Sequence, residues 1–221
     1  MHKILLQIFD FFKANLKEIA VIVAITELPL ILIDNFFIKY GQTNLNFLIL
    51  IFGIIIIAVS NAAMTILFSG ILNKEPMDIK KIISKSLSYL PKMITAVLLY
   101  GLLIILGVFF FILPGLIIGA RLSLYNYYII YENMEPIDAL KQSFNVTKGA
   151  TFEVTTIFVV IFLIATLPYI LFANYLNILN IFNPFILIIT DYVFSVIGSL
   201  VLVLTFRLYC MVKEENGIKF D

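Results

Sequence analysis

The sequence contains one cysteine, one histidine and no tryptophan, and only 13% of its 221 residues are charged. A lone cysteine, Cys210, excludes intrachain disulfides and thiolate metal clusters. A lone histidine, His2, leaves nothing with which to build histidine-based catalysis or the usual zinc motifs. There is no nucleophile elbow, no phosphate-binding glycine loop, no run of metal ligands and no paired-carboxylate motif. Nor is any polar stretch long enough to fold as an aqueous catalytic domain. The expectation is a protein that is not an enzyme and carries no cofactor. Nucleic acid is not an expected partner either, since the chain has no basic groove and no recognisable binding module. The net charge of +1 carries little information by itself.

What the chain has in excess is apolar residues: 62% are hydrophobic, with a mean hydropathy of +1.08. Soluble domains are about half apolar and roughly a quarter charged, and an excess of this size cannot be hidden in one water-solvated core. The lipid bilayer has to be the solvent for much of it. A crossing needs about twenty mostly apolar residues, and six runs qualify: 19–38, 47–72, 93–113, 115–131, 155–172 and 184–209. The first is interrupted by Glu27 and Pro29, and the last opens on Pro184, a favoured first helical position. The third and fourth come from one almost unbroken apolar block, which Pro114-Gly115 divides into a tight helical hairpin because Pro-Gly is a strong turn signal. Asn174, Asn177, Asn180 and Asn183 mark the turn before the last run.

The first seventeen residues imitate a signal peptide, but Asp10, Lys13 and Lys17 break the apolar run too early for one. Ile4, Leu5, Ile8, Phe11, Phe12 and Leu16 share one helical face, which predicts an interfacial helix lying on the membrane. Six crossings put thirteen of the fifteen lysines and arginines on one side, leaving Lys39 opposite and Arg121 inside a run. Five or seven crossings scatter them. The positive-inside rule assigns the crowded side, with both termini, to the cytoplasm. The expected fold is an all-α, polytopic membrane protein of six transmembrane helices with interfacial amphipathic helices.

The two larger cytoplasmic loops resemble each other. Asn73-Lys74-Glu75-Pro76-Met77-Asp78 matches Asn133-Met134-Glu135-Pro136-Ile137-Asp138 at an offset of sixty, and Lys81 matches Lys141. Proline suits the first turn of a helix, and an aspartate there complements the positive end of the helix dipole. Each loop is expected to open an amphipathic helix. Its apolar face is Ile79, Ile82, Ile83, Leu87 and Leu90 in the first copy, and Ile137, Leu140 and Phe144 in the second. Two crossings per unit make this a parallel repeat; the alternative is one good helix start that arose twice. Anionic lipid headgroups suit the lysines of the first copy, as does plain solvation.

Pro114-Gly-Leu-Ile-Ile-Gly-Ala-Arg-Leu-Ser-Leu, then Met134-Glu-Pro-Ile-Asp-Ala-Leu-Lys-Gln-Ser-Phe-Asn-Val-Thr-Lys-Gly, resembles the YciC family of uncharacterised bacterial inner-membrane proteins. Related motifs occur in the membrane domain of some glycerophosphodiester phosphodiesterases. The end of that family is also similar to Leu204-Thr-Phe-Arg207-Leu208-Tyr209. The resemblance implies a multi-pass protein of the bacterial inner membrane with about six helices and no established activity. Its characteristic residues here are Pro114, Gly115, Pro136, Ala139, Leu140, Ser143, Thr147 and Gly149.

Ionisable groups inside spans are expensive and are the natural functional candidates. Glu27 stands mid-span. Arg121 and Asp191 lie about 9 and 10 Å in from the outer side at 1.5 Å per residue, a matching depth that allows them to pair. Such a pair either fixes the packing of the fourth span on the sixth or belongs to a transport pathway. Gly115-x-x-x-Gly119 with Ala120 suits close packing, within the hairpin or between copies. Tyr125, Tyr127, Tyr128 and Tyr131 fit an interfacial aromatic belt. Three functions are carried forward. The first is a non-enzymatic membrane protein acting through helix packing or unidentified protein partners. The others are a small transporter or channel with a polar intramembrane site, and an accessory to membrane lipid metabolism.

Overall fold

The computed structural model describes residues 2–39, 46–75, 78–180 and 183–215. Pro76 of the first loop motif, Lys219 and the side chain of Lys39 lie outside the described residues. The described residues form α1 (His2–Ala14), α2 (Leu16–Thr26), α3 (Leu28–Lys39), α4 (Asn46–Leu72), α5 (Ile79–Ser88) and α6 (Leu90–Phe110). There follow α7 (Ile112–Leu122), α8 (Tyr125–Tyr131), α9 (Pro136–Val146), α10 (Thr151–Ile178), α11 (Pro184–Gly198) and α12 (Leu200–Glu215). Four helical stretches are long and apolar enough to cross a membrane: Phe47–Leu72, Leu90–Phe110, Thr151–Ile178 and Pro184–Glu214. Large apolar side chains crowd the outside, including Phe109, Phe152 and Ile178, while Ser60, Thr65, Asn126, Ser143 and Thr205 are buried. An outside this apolar suits lipid. The chain is an all-α membrane protein.

The hairpin turns three residues earlier than Pro114-Gly115. Phe111 alone is extended (φ −164, ψ 154) between α6 and α7, and Pro114 sits in the first turn of α7, where a missing N–H costs nothing. Gly115 instead serves the packing of the pair. A Cβ on Gly107 would lie 2.8 Å from Gly115 Cα, and one on Gly115 would lie 2.9 Å from the Val108 nitrogen. Gly119 and Ala120 are also buried, and the Tyr100 hydroxyl donates to the Gly119 carbonyl at 3.1 Å. The small-residue face therefore packs within the hairpin.

Three helices are interrupted, each for a local reason. Pro29 has no N–H to offer the carbonyl of Ile25, and the helix breaks at Glu27 between α2 and α3. Ser199, following Gly198 at the end of α11, separates α11 from α12. Between α7 and α8, a side chain from α9 enters the ladder: Ser143 Oγ accepts from Leu124 N (3.1 Å) and donates to Arg121 O (2.7 Å).

α1 docks on the protein: Ile8 is fully buried, Phe11 joins Phe68 and Phe206 in a ring cluster, and Arg207 Nε donates to Gln7. In α9 the buried residues are Pro136, Ala139, Leu140 and Ser143, followed by Thr147, whereas Ile137 and Phe144 are exposed. In α5, Ile82 is buried and Leu87 exposed. Tyr125, Tyr127 and Tyr128 form no belt; they are core residues whose hydroxyls include inward bonds such as Tyr127 to Leu202 O at 2.8 Å.

Candidate functional site

The three interruptions line one cavity. Glu27, Ser123 and Ser199 all face a chamber of about 340 Å³, with Asn61, Asn126, Tyr100 and Thr205 among the other walls. A break in a helix brings polar side chains and backbone to membrane depth, and such breaks are tolerated where they are buried in protein or border a cavity. Ser60 Oγ donates to Glu27 Oε1 at 2.6 Å, and Ser195 lines the same chamber. Asn61 Nδ2 donates to the Tyr125 hydroxyl at 3.4 Å. Asn126 is 2% exposed, and its Oδ1 has no hydrogen-bond partner.

A second cavity of about 300 Å³ adjoins the chamber, and Ser195 and Gly198 line both. Asp191 is here, accepting from Asn35 Nδ2 at 2.8 Å and from the Tyr169 hydroxyl at 3.2 Å. Asp34 lines the same cavity and interacts electrostatically with Asp191. Asp34 was missed in the sequence, although it stands seven residues after Glu27, two turns along the same face. Asn126 and Ser195 carried the same signal, a polar residue in an apolar run.

Below the chamber lie aromatic rings. The Tyr127 hydroxyl is 3.0 Å from Thr205 Oγ1, and its ring stacks on Tyr209 (5.2 Å between centroids) and meets Tyr131 edge-on. Beyond them, Tyr131, Tyr209, Asn73 and Lys85 line a third cavity of about 310 Å³. Tyr131 donates to Thr65 O at 2.7 Å, and Tyr209 to Glu132 at 2.9 Å, which also pairs with Lys213.

Arg121 is not part of this array, and it does not pair with Asp191. Its guanidinium donates to Phe144 O and to Thr147 Oγ1 at 3.5 Å, and it stacks 3.4 Å above the Phe144 ring. It therefore caps the carboxyl end of α9, where a cation complements the helix dipole. Equal depth did not imply proximity, because Arg121 turns toward α9 and Asp191 toward α3 and α10. Arg121→Ala is expected to lower stability by about 1–3 kcal/mol. In double-mutant cycles by denaturation in detergent, Arg121 should couple to Phe144 and show, within about 0.5 kcal/mol, no coupling to Asp191. Coupling above about 1 kcal/mol to Asp191 would restore the ion pair.

The loop-motif residues act at helix starts. Asp78 caps α5, accepting from Lys80 N and Lys81 N. Glu135 precedes Pro136 at the start of α9 and pairs with Lys92 at 2.9 Å, while Asp138 lies 3.9 Å from Lys141. Glu75 N bonds Gly70 O. The two starts differ: Asp78 precedes its helix, and Asp138 lies inside its own. No family model, curated protein or solved structure matches the chain.

Proposed function

We propose that the chain is a six-span transport protein whose solute passes through the chamber at the three helix interruptions. The observation that carries this reading is the shared lining. Two cavities, one lined by Glu27 and the other by Asp34 and Asp191, meet at Ser195 and Gly198. Discontinuous helices with polar groups at mid-depth are how secondary transporters build their sites. The spans are α2–α3, α4, α6, α7–α8, α10 and α11–α12, oriented by the lysine distribution with both termini in the cytoplasm of a bacterium. The action is non-enzymatic, and the motifs around Pro114 and Pro136 make membership of the YciC family part of the same reading. So does the repeat: each copy runs from a short amphipathic helix through an unbroken span to an interrupted one. In this orientation the Asp34–Asp191 cavity faces outward and the tyrosine layer seals the cytoplasmic side.

Thiol accessibility tests it. In a Cys210→Ala background, Ser195→Cys is expected to react with an impermeant thiosulfonate added outside intact vesicles. Thr205→Cys, deeper in the chamber, should react at least tenfold more slowly. A sealed interior, with both thiols inert from either face, sinks the proposal.

A further inference from the structure

Resting on that transport reading, we infer that the solute is a monovalent cation, handed between the Asp34–Asp191 pair in the outer cavity and Glu27 in the chamber. The sign of the charge comes from the walls. The described residues lining the two cavities include these three carboxyls and no lysine, arginine or histidine. Asp191 is held by two neutral donors, Asn35 and Tyr169, and among the described residues neither Asp34 nor Asp191 forms an ion pair. Two carboxylates in one small cavity repel each other unless a proton or a cation lies between them.

The route follows from register. Seven residues, about 10 Å of helix, separate Asp34 from Glu27 on one face, and the two cavities share Ser195 and Gly198. At the inner station an oxygen is left over: Asn126 lines the chamber, is buried, and has an Oδ1 without a hydrogen-bond partner. The valence follows from spacing. Among the described residues no three acidic, histidine or cysteine side chains gather at one point. A calcium cage takes six to eight oxygens and magnesium an octahedral set. Single carboxyls spaced along a path, helped by hydroxyl and amide oxygens, suit a proton or an alkali ion.

The test uses the full chain in phosphatidylethanolamine–phosphatidylglycerol vesicles, with entrapped dyes for protons, sodium and potassium, and glycerol and chloride as counter-probes. A gradient of at least one of the three cations is expected to collapse ten times faster or more than in protein-free vesicles. Glu27→Gln and Asp34→Asn should each cut that rate at least tenfold, while Glu153→Gln, on the exposed first turn of α10, leaves it unchanged. Asp34→Asn is nearly isosteric, and circular dichroism establishes that each variant is folded. Cation flux indifferent to both substitutions overturns the inference. If glycerol or chloride passes and no cation does, the cation assignment falls and the transport reading stands. If none of the five passes, both fall.

Discussion

Leucine at Gly115 is expected to destabilise the protein by about 3 kcal/mol, the upper part of the range for overpacking. The α6–α7 pair closes around a single extended residue, so the helices have no slack with which to separate. A Cβ at Gly115 already meets Val108 backbone at 2.9 Å, and one at Gly107 meets Gly115 Cα at 2.8 Å. Neither contact is the movable end of a side chain. Gly101, on the same α6, has nothing within 4 Å of its Cβ position, so Gly101→Ala should be neutral or slightly stabilising through helix propensity. Thermal unfolding in detergent compares the two. Equal midpoints for Gly115→Leu and Gly101→Ala would show that the hairpin is not closed by its glycines.

The hairpin was legible in the sequence in existence but not in position. Pro-Gly announces a chain reversal, yet proline is equally at home in the first turn of the returning helix, and only the backbone tells the two apart. The 47–72 run was read almost to the residue because α4 is apolar all round and its ends are set by polar neighbours. α9 is amphipathic, and of its apolar residues Leu140 is buried while Ile137 and Phe144 are exposed. In water the large apolar residues turn toward the protein. Beside lipid they are free to turn away, and small or hydroxyl-bearing residues make the close contacts. Thus Ala139, Ser143 and Thr147 are buried while Ile137 and Phe144 are not.

The candidate site divides along the same line. Glu27 and Asp191 were visible as costly residues in apolar runs, and both border cavities. Arg121 stood out by the same criterion but meets Phe144 O, a backbone carbonyl, and backbone partners leave no trace in residue identity. The tyrosines of α8 were visible too. Tyrosine fits a membrane interface and a buried hydrogen-bonded core equally well, and the choice depends on whether acceptors such as Leu202 O and Thr65 O stand opposite.

Tyr127→Ala is accordingly expected to raise the leak of small solutes across reconstituted vesicles by at least tenfold. Tyr127 is fully buried. Its hydroxyl is tied to Leu202 O and Thr205 Oγ1 beside the chamber, and its ring stacks on Tyr209, which lines the next cavity. Its ring also meets Tyr131 edge-on, so that it touches both tyrosines of the third cavity while bonding a chamber wall. Removing the ring takes away the link between Thr205, which lines the chamber, and Tyr209, which lines the third cavity. Truncating a buried aromatic also costs about 3–5 kcal/mol, so the leak has to be read on the folded fraction and against a matched loss. Tyr128→Ala supplies that control: Tyr128 is as deeply buried and meets the Tyr209 ring, but the bonds to Leu202 O and Thr205 Oγ1 are Tyr127's. Tyr127→Phe keeps the ring and gives up only the hydroxyl bonds, at about 1 kcal/mol, and should stay tight. A Tyr127→Ala protein no leakier than Tyr128→Ala would mean that the tyrosines are ordinary core and that the seal lies elsewhere.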